Sequence, residues 1–208
     1  MDVGLYNAKW GFRKMISFVL PAVKNVSPDA VSWSLLPVGL VTAAVYYFAV
    51  SSGPAWLYLV GIVLVFVRMF LGTLDGLMAT EFDKATPLGA VVNRVAPELC
   101  DVMYMLAIPI AAPGLRLVGL GALAAAWLVT FSGLVGATSG SATQSVGPVG
   151  QTDRIAALML FSLLAFLGPL FGWNVSFIWW FLVWVIAGSA LTVLLRLQRT
   201  FKGLTSAT

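Results

Sequence analysis

Residues 74–101 read LDGLMATEFDKATPLGAVVNRVAPELCD and lie between two long apolar runs. This stretch holds five of the chain's eight acidic residues, which are Asp75, Glu81, Asp83, Glu98 and Asp101. A carboxylate at the edge of membrane hydrocarbon is energetically costly, so such a residue is by default a candidate for function. The stretch therefore bears on both the fold and the chemistry of the chain.

Outside this stretch the sequence has the composition of a membrane protein. It has 208 residues, of which 60% are hydrophobic and 10% charged, and its mean hydropathy is +0.96. A soluble domain of this length does not need so much apolar surface, so we predict an all-α integral membrane protein. The single Cys100 excludes an internal disulfide, and the sequence contains no histidine. Any metal ion would therefore be a hard cation held by oxygen ligands.

We predict a single membrane domain over residues 1–208, with six transmembrane helices after an N-terminal interfacial amphipathic helix. The interfacial helix is predicted over 5–24, because apolar residues recur there at helical spacing while Lys9 and Arg13 fall on other faces. The span predicted at 116–137 is rich in glycine and alanine, which favours close helix packing. The six predicted spans are residues 30–50, 55–79, 87–111, 116–137, 152–170 and 175–196.

The distribution of basic residues predicts the orientation. Six spans put both termini on one side of the membrane, together with the 80–86 connection and the 138–154 loop. The loops of the opposite side contain only Arg116 as a basic residue. The positive-inside rule therefore predicts that both termini, and the acidic stretch, lie at the cytoplasmic face. We expect the membrane to be a bacterial inner membrane. A net charge of +4 suits lipid headgroups, and we expect no nucleic-acid partner.

Polar residues of the acidic stretch are spaced to face each other across two helices. Asp75 and Gly76 end the second predicted span, and Ala79 follows one turn later. Such a helix pair can hold a divalent cation against a phosphate or pyrophosphate. The third predicted span carries a stripe of residues at intervals of four, which share one helical face. This stripe consists of Gly89, Asn93, Pro97 and Asp101.

At these residues the chain resembles the CDP-alcohol phosphotransferase (CDP-alcohol phosphatidyltransferase) family. The family motif reads D-x-x-D-G-x-x-A-R, eight residues, G-x-x-x-D-x-x-x-D. Segments 27–32, SPDAVS, and 147–154, GPVGQTDR, are also similar to segments of this family. The residues that match the motif in type and spacing are Asp75, Gly76, Ala79 and Gly89.

The resemblance implies a defined fold and activity. It implies six spans, a cytoplasmic site and a homodimer. It also implies transfer of a phosphatidyl-type group from a CDP-linked lipid to an alcohol. In that reaction Mg²⁺ or Mn²⁺ would bridge the motif aspartates and the pyrophosphate, and the last aspartate would be the general base.

The chain departs from the motif where the metal would bind. Gly72 stands at the first aspartate and Thr80 at the arginine, while Asn93 and Pro97 stand at the third and fourth aspartates. Asp75 alone remains of four carboxylates. We therefore predict a non-catalytic relative, a pseudoenzyme without a cofactor. It would bind membrane lipids, a CDP-linked lipid or a nucleotide, or pack as a subunit of a membrane complex.

The alternative is an active enzyme of phospholipid synthesis that releases CMP on a rearranged Mg²⁺ or Mn²⁺ site. Asp75 and Asp101 would then be the metal ligands, and Asp101 or Glu98 the catalytic base. A transporter is disfavoured because the sequence shows no inverted repeat. The residues predicted to contact nucleotide or substrate are Asp75, Gly76, Ala79, Gly89, Asn93, Arg68 and Arg154.

Several charged residues also have structural interpretations. The spacing of Arg94 and Glu98 favours an ion pair within one helix. Arg68 either extends to the membrane surface or pairs with an acid inside the bundle. Asp153 and Arg154 either bind an acceptor phosphate or serve, respectively, as a helix-start acid and a membrane-surface anchor.

Overall fold

The computed structural model describes residues 8–205, with side chains from residue 11 onward. This part of the chain contains eight α-helices, two short 3₁₀ turns and no β-strand, which confirms the all-α prediction. The helices are α1 (Ala8–Ile16), α2 (Leu20–Val23), α3 (Pro28–Ser51), α4 (Trp56–Glu81), α5 (Pro87–Ala111), α6 (Arg116–Thr138), α7 (Gln151–Leu170) and α8 (Phe177–Thr205).

Five segments within the described residues are long and apolar enough to cross a membrane: α3, α4, α7, α8 and the segment Pro113–Thr138 that contains α6. The chain is therefore an integral membrane protein. The ends of these helices lie within two residues of the predicted ends, except that α8 continues to Thr205 instead of ending at 196. Arg196 and Thr200 explain this extension, because both are buried and pack against α6.

Helix α5 coincides with the third predicted span, 87–111. Every stretch of it long enough to cross the bilayer contains Arg94, Glu98 and Asp101, so it is not one of the five apolar segments. It nevertheless packs within the bundle, against α3, α4 and α6. Glu98 and Asp101 therefore lie among neighbouring helices, whereas Arg94 is exposed.

The N-terminal segment is not the single helix predicted over 5–24. Residues 5–7 lie outside the described residues, and a 3₁₀ turn at Ser17–Val19 separates α1 from α2. The Ser17 hydroxyl donates to the Lys14 carbonyl at 2.7 Å, and Pro21 has no N–H to donate, so both residues disfavour a continuous helix here. In α1 the Ile16 side chain is buried against Leu74, Leu77 and Met78 of α4.

The main core contains buried residues from each of the helices α3 to α8. Tyr46 and Tyr104 are fully buried there with Phe181, and the Tyr46 and Ser162 hydroxyls are hydrogen-bonded at 2.8 Å. Large apolar side chains also cover the outside of the bundle, including Leu117, which is 89% exposed. In a membrane these outer side chains contact lipid tails rather than water.

The helix connections bring four helix ends together on one side of the molecule. Helix α3 begins at Pro28, α4 ends at Glu81, α5 begins at Pro87 and α7 begins at Gln151. Pro28 and Pro87 both occupy the first turn of a helix, where a missing N–H is tolerated. These four ends form the walls of the candidate site.

Candidate functional site

A cavity of about 390 Å³ opens between these four helix ends. We call it the Asp75 cavity. Five residues predicted from the sequence line it: Asp75, Ala79, Gly89, Asn93 and Glu98. The predicted hairpin of α4 and α5 therefore does bring Asp75 and part of the α5 stripe to one place.

Asp75 is the buried acid of this cavity, with 1% of its surface exposed. One carboxylate oxygen accepts a hydrogen bond from the Ser32 hydroxyl of α3. The other accepts from the backbone N–H of Gly76 at 2.6 Å. The carboxylate is thus held in a fixed orientation by two donors from two helices.

The two motif glycines allow close helix contacts at the cavity wall. A Cβ atom at Gly76 would lie 3.2 Å from the Asn93 amide nitrogen, and one at Gly89 would lie 2.6 Å from an Asp29 carboxylate oxygen. A side chain at Gly89 would therefore displace Asp29. These glycines shape the site and supply no functional group to it.

Several polar lining residues were not among the predicted site residues, including Asp29, Ser32, Lys84, Arg94 and Gln151. For Asp29 and Ser32 the sequence contained a signal, because residues three apart after Pro28 share one face of the first helical turns. Lys84 and Gln151 gave no such signal. Their positions depend on how the α4–α5 connection and the start of α7 fold over the cavity.

Beside the cavity lies a buried ion network of two guanidinium groups and two carboxylates. Arg68 contacts Asp101 at 2.7 Å, and Arg154 contacts Asp101 at 3.6 Å and Glu98 at 3.4 Å. Glu98 also accepts hydrogen bonds from Thr130 and from the Gln151 side chain, each at 3.1 Å. Within this network the formal charges cancel, as expected for ionised groups buried in a membrane protein.

The network decides between the structural interpretations of these residues. The predicted ion pair within α5 is wrong, because Glu98 pairs with Arg154 of α7 and not with Arg94. Arg68 has an internal partner and does not extend to the membrane surface. Arg154 is likewise 3% exposed, so it is not a surface anchor.

At the start of α7 the helix-start interpretation of Asp153 is correct. Its carboxylate accepts a hydrogen bond from the Gly150 backbone N–H at 2.9 Å. An acid at this position also interacts favourably with the positive end of the helix dipole.

The residues present do not fit a Mg²⁺ or Mn²⁺ ion. Asp101 does not line the Asp75 cavity, so the two predicted metal ligands, Asp75 and Asp101, do not share it. Across residues 8–205 no three His, Cys, Asp or Glu side chains lie close enough together to hold a metal. Hard cations require several oxygen ligands. Asp101, moreover, is already neutralised by Arg68 and Arg154.

Comparison with known proteins gives one informative match. No protein-family profile matches the sequence. The chain is 30% identical over 146 residues to the inner membrane protein YnbA of Escherichia coli (strain K12), and the matched region covers 70% of this chain and 71% of that protein.

Proposed function

The chain belongs to the family of the inner membrane protein YnbA, and from this premise we propose that it is a non-catalytic inner-membrane protein that binds the polar headgroup of a CDP-linked lipid. Its fold would be that of the CDP-alcohol phosphotransferases. One observation chiefly supports the lack of catalysis. Asp75 alone of the four motif carboxylates is kept, and Asp101, the substitute ligand predicted from the sequence, is bound by two arginines.

The proposed topology has six spans, because α5 crosses the membrane in addition to the five apolar segments. Helix α1 lies at the membrane surface. At 1.5 Å per residue the 25 residues of α5 extend about 37 Å, which exceeds the roughly 30 Å of bilayer hydrocarbon. Its buried acids contact arginines of α4 and α7 rather than lipid. Both termini and the Asp75 cavity would then lie at the cytoplasmic face.

The Asp75 cavity has donors and acceptors suited to a phosphorylated headgroup. Arg94 is exposed, lines the cavity, and has no ion pair within residues 11–205. Its guanidinium and the Lys84 ammonium can bind phosphate oxygens. Asp29 and Asn93 can accept hydrogen bonds from hydroxyl or amino groups of a nucleotide. These groups support binding of a CDP-linked lipid without a catalytic step.

An active enzyme is the second candidate, and Asp29 is the observation that favours it. It places a further carboxylate on the Asp75 cavity, in addition to Asp75 and Glu98 and at a position outside the motif. Such an enzyme would transfer a phosphatidyl-type group to an alcohol and release CMP. Asp75 would remain essential to it.

Measurement of CMP release from CDP-diacylglycerol tests the proposal. We expect the purified protein to release no CMP with a panel of alcohol acceptors, with or without Mg²⁺, under conditions in which an active phosphatidyltransferase does. We also expect CDP-diacylglycerol to raise the thermal unfolding midpoint. Asp75→Asn should abolish this stabilisation, because the amide disturbs the hydrogen bonds with Ser32 and Gly76.

Glu81→Gln is the matched control, since it neutralises an exposed acid six residues further along α4. It should leave the lipid-induced stabilisation unchanged. CMP release that disappears in Asp75→Asn but persists in Glu81→Gln would establish the enzyme instead. Equal stabilisation of both variants by the lipid would show that the ligand binds elsewhere.

A further inference from the structure

The first and fourth aspartate positions of the motif adjoin in this protein, and an arginine lies against both. A Cβ atom at Gly72 would lie 3.9 Å from Cγ of Pro97 and 3.8 Å from Nη1 of Arg68. Nη2 of the same guanidinium donates to the Pro97 carbonyl at 2.8 Å and contacts Asp101 at 2.7 Å. A single cationic group thus touches positions 72, 97 and 101.

We infer that the Arg68 guanidinium is a built-in cation that replaces the divalent ion of the motif. This inference rests on the proposed function, because that proposal assigns residues 72 and 97 to motif positions. Its consequence is that an anionic ligand beside positions 72 and 97 is bound without a metal. Carboxylates restored at positions 72 and 97 would pair with Arg68 and would not recruit Mg²⁺ or Mn²⁺.

Charge and burial support this replacement. Arg68 is 3% exposed, so its charge is poorly screened by water. A divalent cation placed among positions 72, 97 and 101 would lie within a few ångströms of the guanidinium and be repelled by it. A guanidinium stays protonated in proteins, so this repulsion cannot be relieved by loss of a proton.

A second feature of Arg68 fits an oxygen-bearing ligand. Its Nε is buried and has no hydrogen-bond partner within the described residues. Arg68 also lines a further cavity of about 240 Å³, together with Gly72 and Thr73. A buried N–H donor requires an acceptor, which a phosphate or ester oxygen supplies and a metal ion does not.

Mn²⁺ binding to the full-length protein in detergent tests the inference, with free Mn²⁺ followed by electron paramagnetic resonance. We expect no specific binding by the wild type or by the double variant Gly72→Asp/Pro97→Asp. Adding Arg68→Gln to the double variant should strengthen Mn²⁺ binding by about tenfold or more, because the repelling charge is removed. Adding Arg94→Gln instead removes an arginine of the neighbouring cavity and should have no such effect.

Several results would overturn the inference. One is specific Mn²⁺ binding by the wild type. Another is Mn²⁺ affinity of the double variant that is the same with Arg68 and with Arg68→Gln. The third is an increase in Mn²⁺ affinity from Arg94→Gln as large as that from Arg68→Gln. If the variant that also contains Arg68→Gln does not fold, the double variant Gly72→Asp/Pro97→Asp alone provides the test. Its thermal unfolding midpoint should be the same in Mn²⁺ and in EDTA, and a higher midpoint in Mn²⁺ would refute the replacement.

Mn²⁺ binding and CMP release together separate this inference from the proposed function. Metal-independent CMP release by the wild type would refute the non-catalytic proposal and leave the role of Arg68 standing. Mn²⁺ binding by the double variant, with no CMP release by the wild type, would refute the role of Arg68 only.

Discussion

Asp101 lies between the guanidinium groups of Arg68 on α4 and Arg154 on α7. The carboxylate is 3% exposed, so it depends on these partners for its charge to be tolerated. A group engaged in this way is poorly suited to bind a metal or to accept a proton from a substrate. At the residue scale, therefore, this buried acid stabilises helix packing.

Arg68→Gln should strongly destabilise the protein. Removing one partner of a buried ion pair typically costs about 3–5 kcal/mol, because the other charge loses its compensation. Arg94→Gln changes an exposed arginine with no ion pair within residues 11–205, so its effect should stay within about 0.5 kcal/mol. Chemical unfolding in mixed micelles measures both values. Similar losses for the two variants would contradict a structural role for the Arg68–Asp101 pair.

Residue spacing predicted some members of the site and not others. Asp75, Ala79, Gly89 and Asn93 were predicted correctly as neighbours, because an antiparallel helix pair and intervals of four residues fix their relative positions. The partners of Asp101 were not predicted. They come from separate helices, and a sequence does not specify the rotation of one helix against another.

At the scale of helices, the glycines of α6 control how closely it approaches its neighbours. A Cβ atom at Gly119 would lie 2.7 Å from Cβ of Pro109 on α5. One at Gly121 would lie 3.5 Å from the Ile186 side chain of α8, which is ordinary van der Waals contact. The close packing predicted from the composition of residues 116–137 is therefore confirmed at Gly119.

Gly119→Ala should accordingly lower stability, because an added methyl group would force α5 and α6 apart. Overpacking of this kind typically costs about 1–3 kcal/mol. Gly121→Ala is the matched control, since it makes the same change two residues away without a clash, and it should be neutral or slightly stabilising. Thermal unfolding midpoints of the two variants provide the comparison. A loss at Gly121 as large as that at Gly119 would show that the α5–α6 contact is not the cause.

The predictability of helix ends also has a physical explanation. The predicted start at residue 87 agrees with α5, in which Pro87 occupies the first helical turn and the Thr86 side chain accepts a hydrogen bond from the Gly89 N–H at 2.9 Å. The end of α8 was not predicted. Its last turns depend on the buried Arg196, which donates to the backbone carbonyls of Val146 and Val129.

At the scale of the whole molecule, the position of α5 determines the topology. If α5 crosses the bilayer, its two ends lie on opposite sides, and the Asp75 cavity shares the cytoplasmic side with both termini. If it does not, the connections before and after it share one side. Basic residues favour the first arrangement, because it places Arg199 and Lys202, near the C-terminus, on the same side as Lys84.

Cysteine labelling in bacterial cells distinguishes the two arrangements. Glu81 and Gly114 are both exposed. Glu81 lies before the start of α5, and Gly114 lies after its end. With a membrane-impermeant maleimide, we expect Gly114→Cys to react in intact cells and Glu81→Cys to react only after permeabilisation. The wild type serves as the control and should stay unlabelled, because its single Cys100 is buried. Labelling of both introduced cysteines under the same condition would show that α5 does not span the membrane. Reaction of Glu81→Cys in intact cells would contradict the cytoplasmic placement of the cavity.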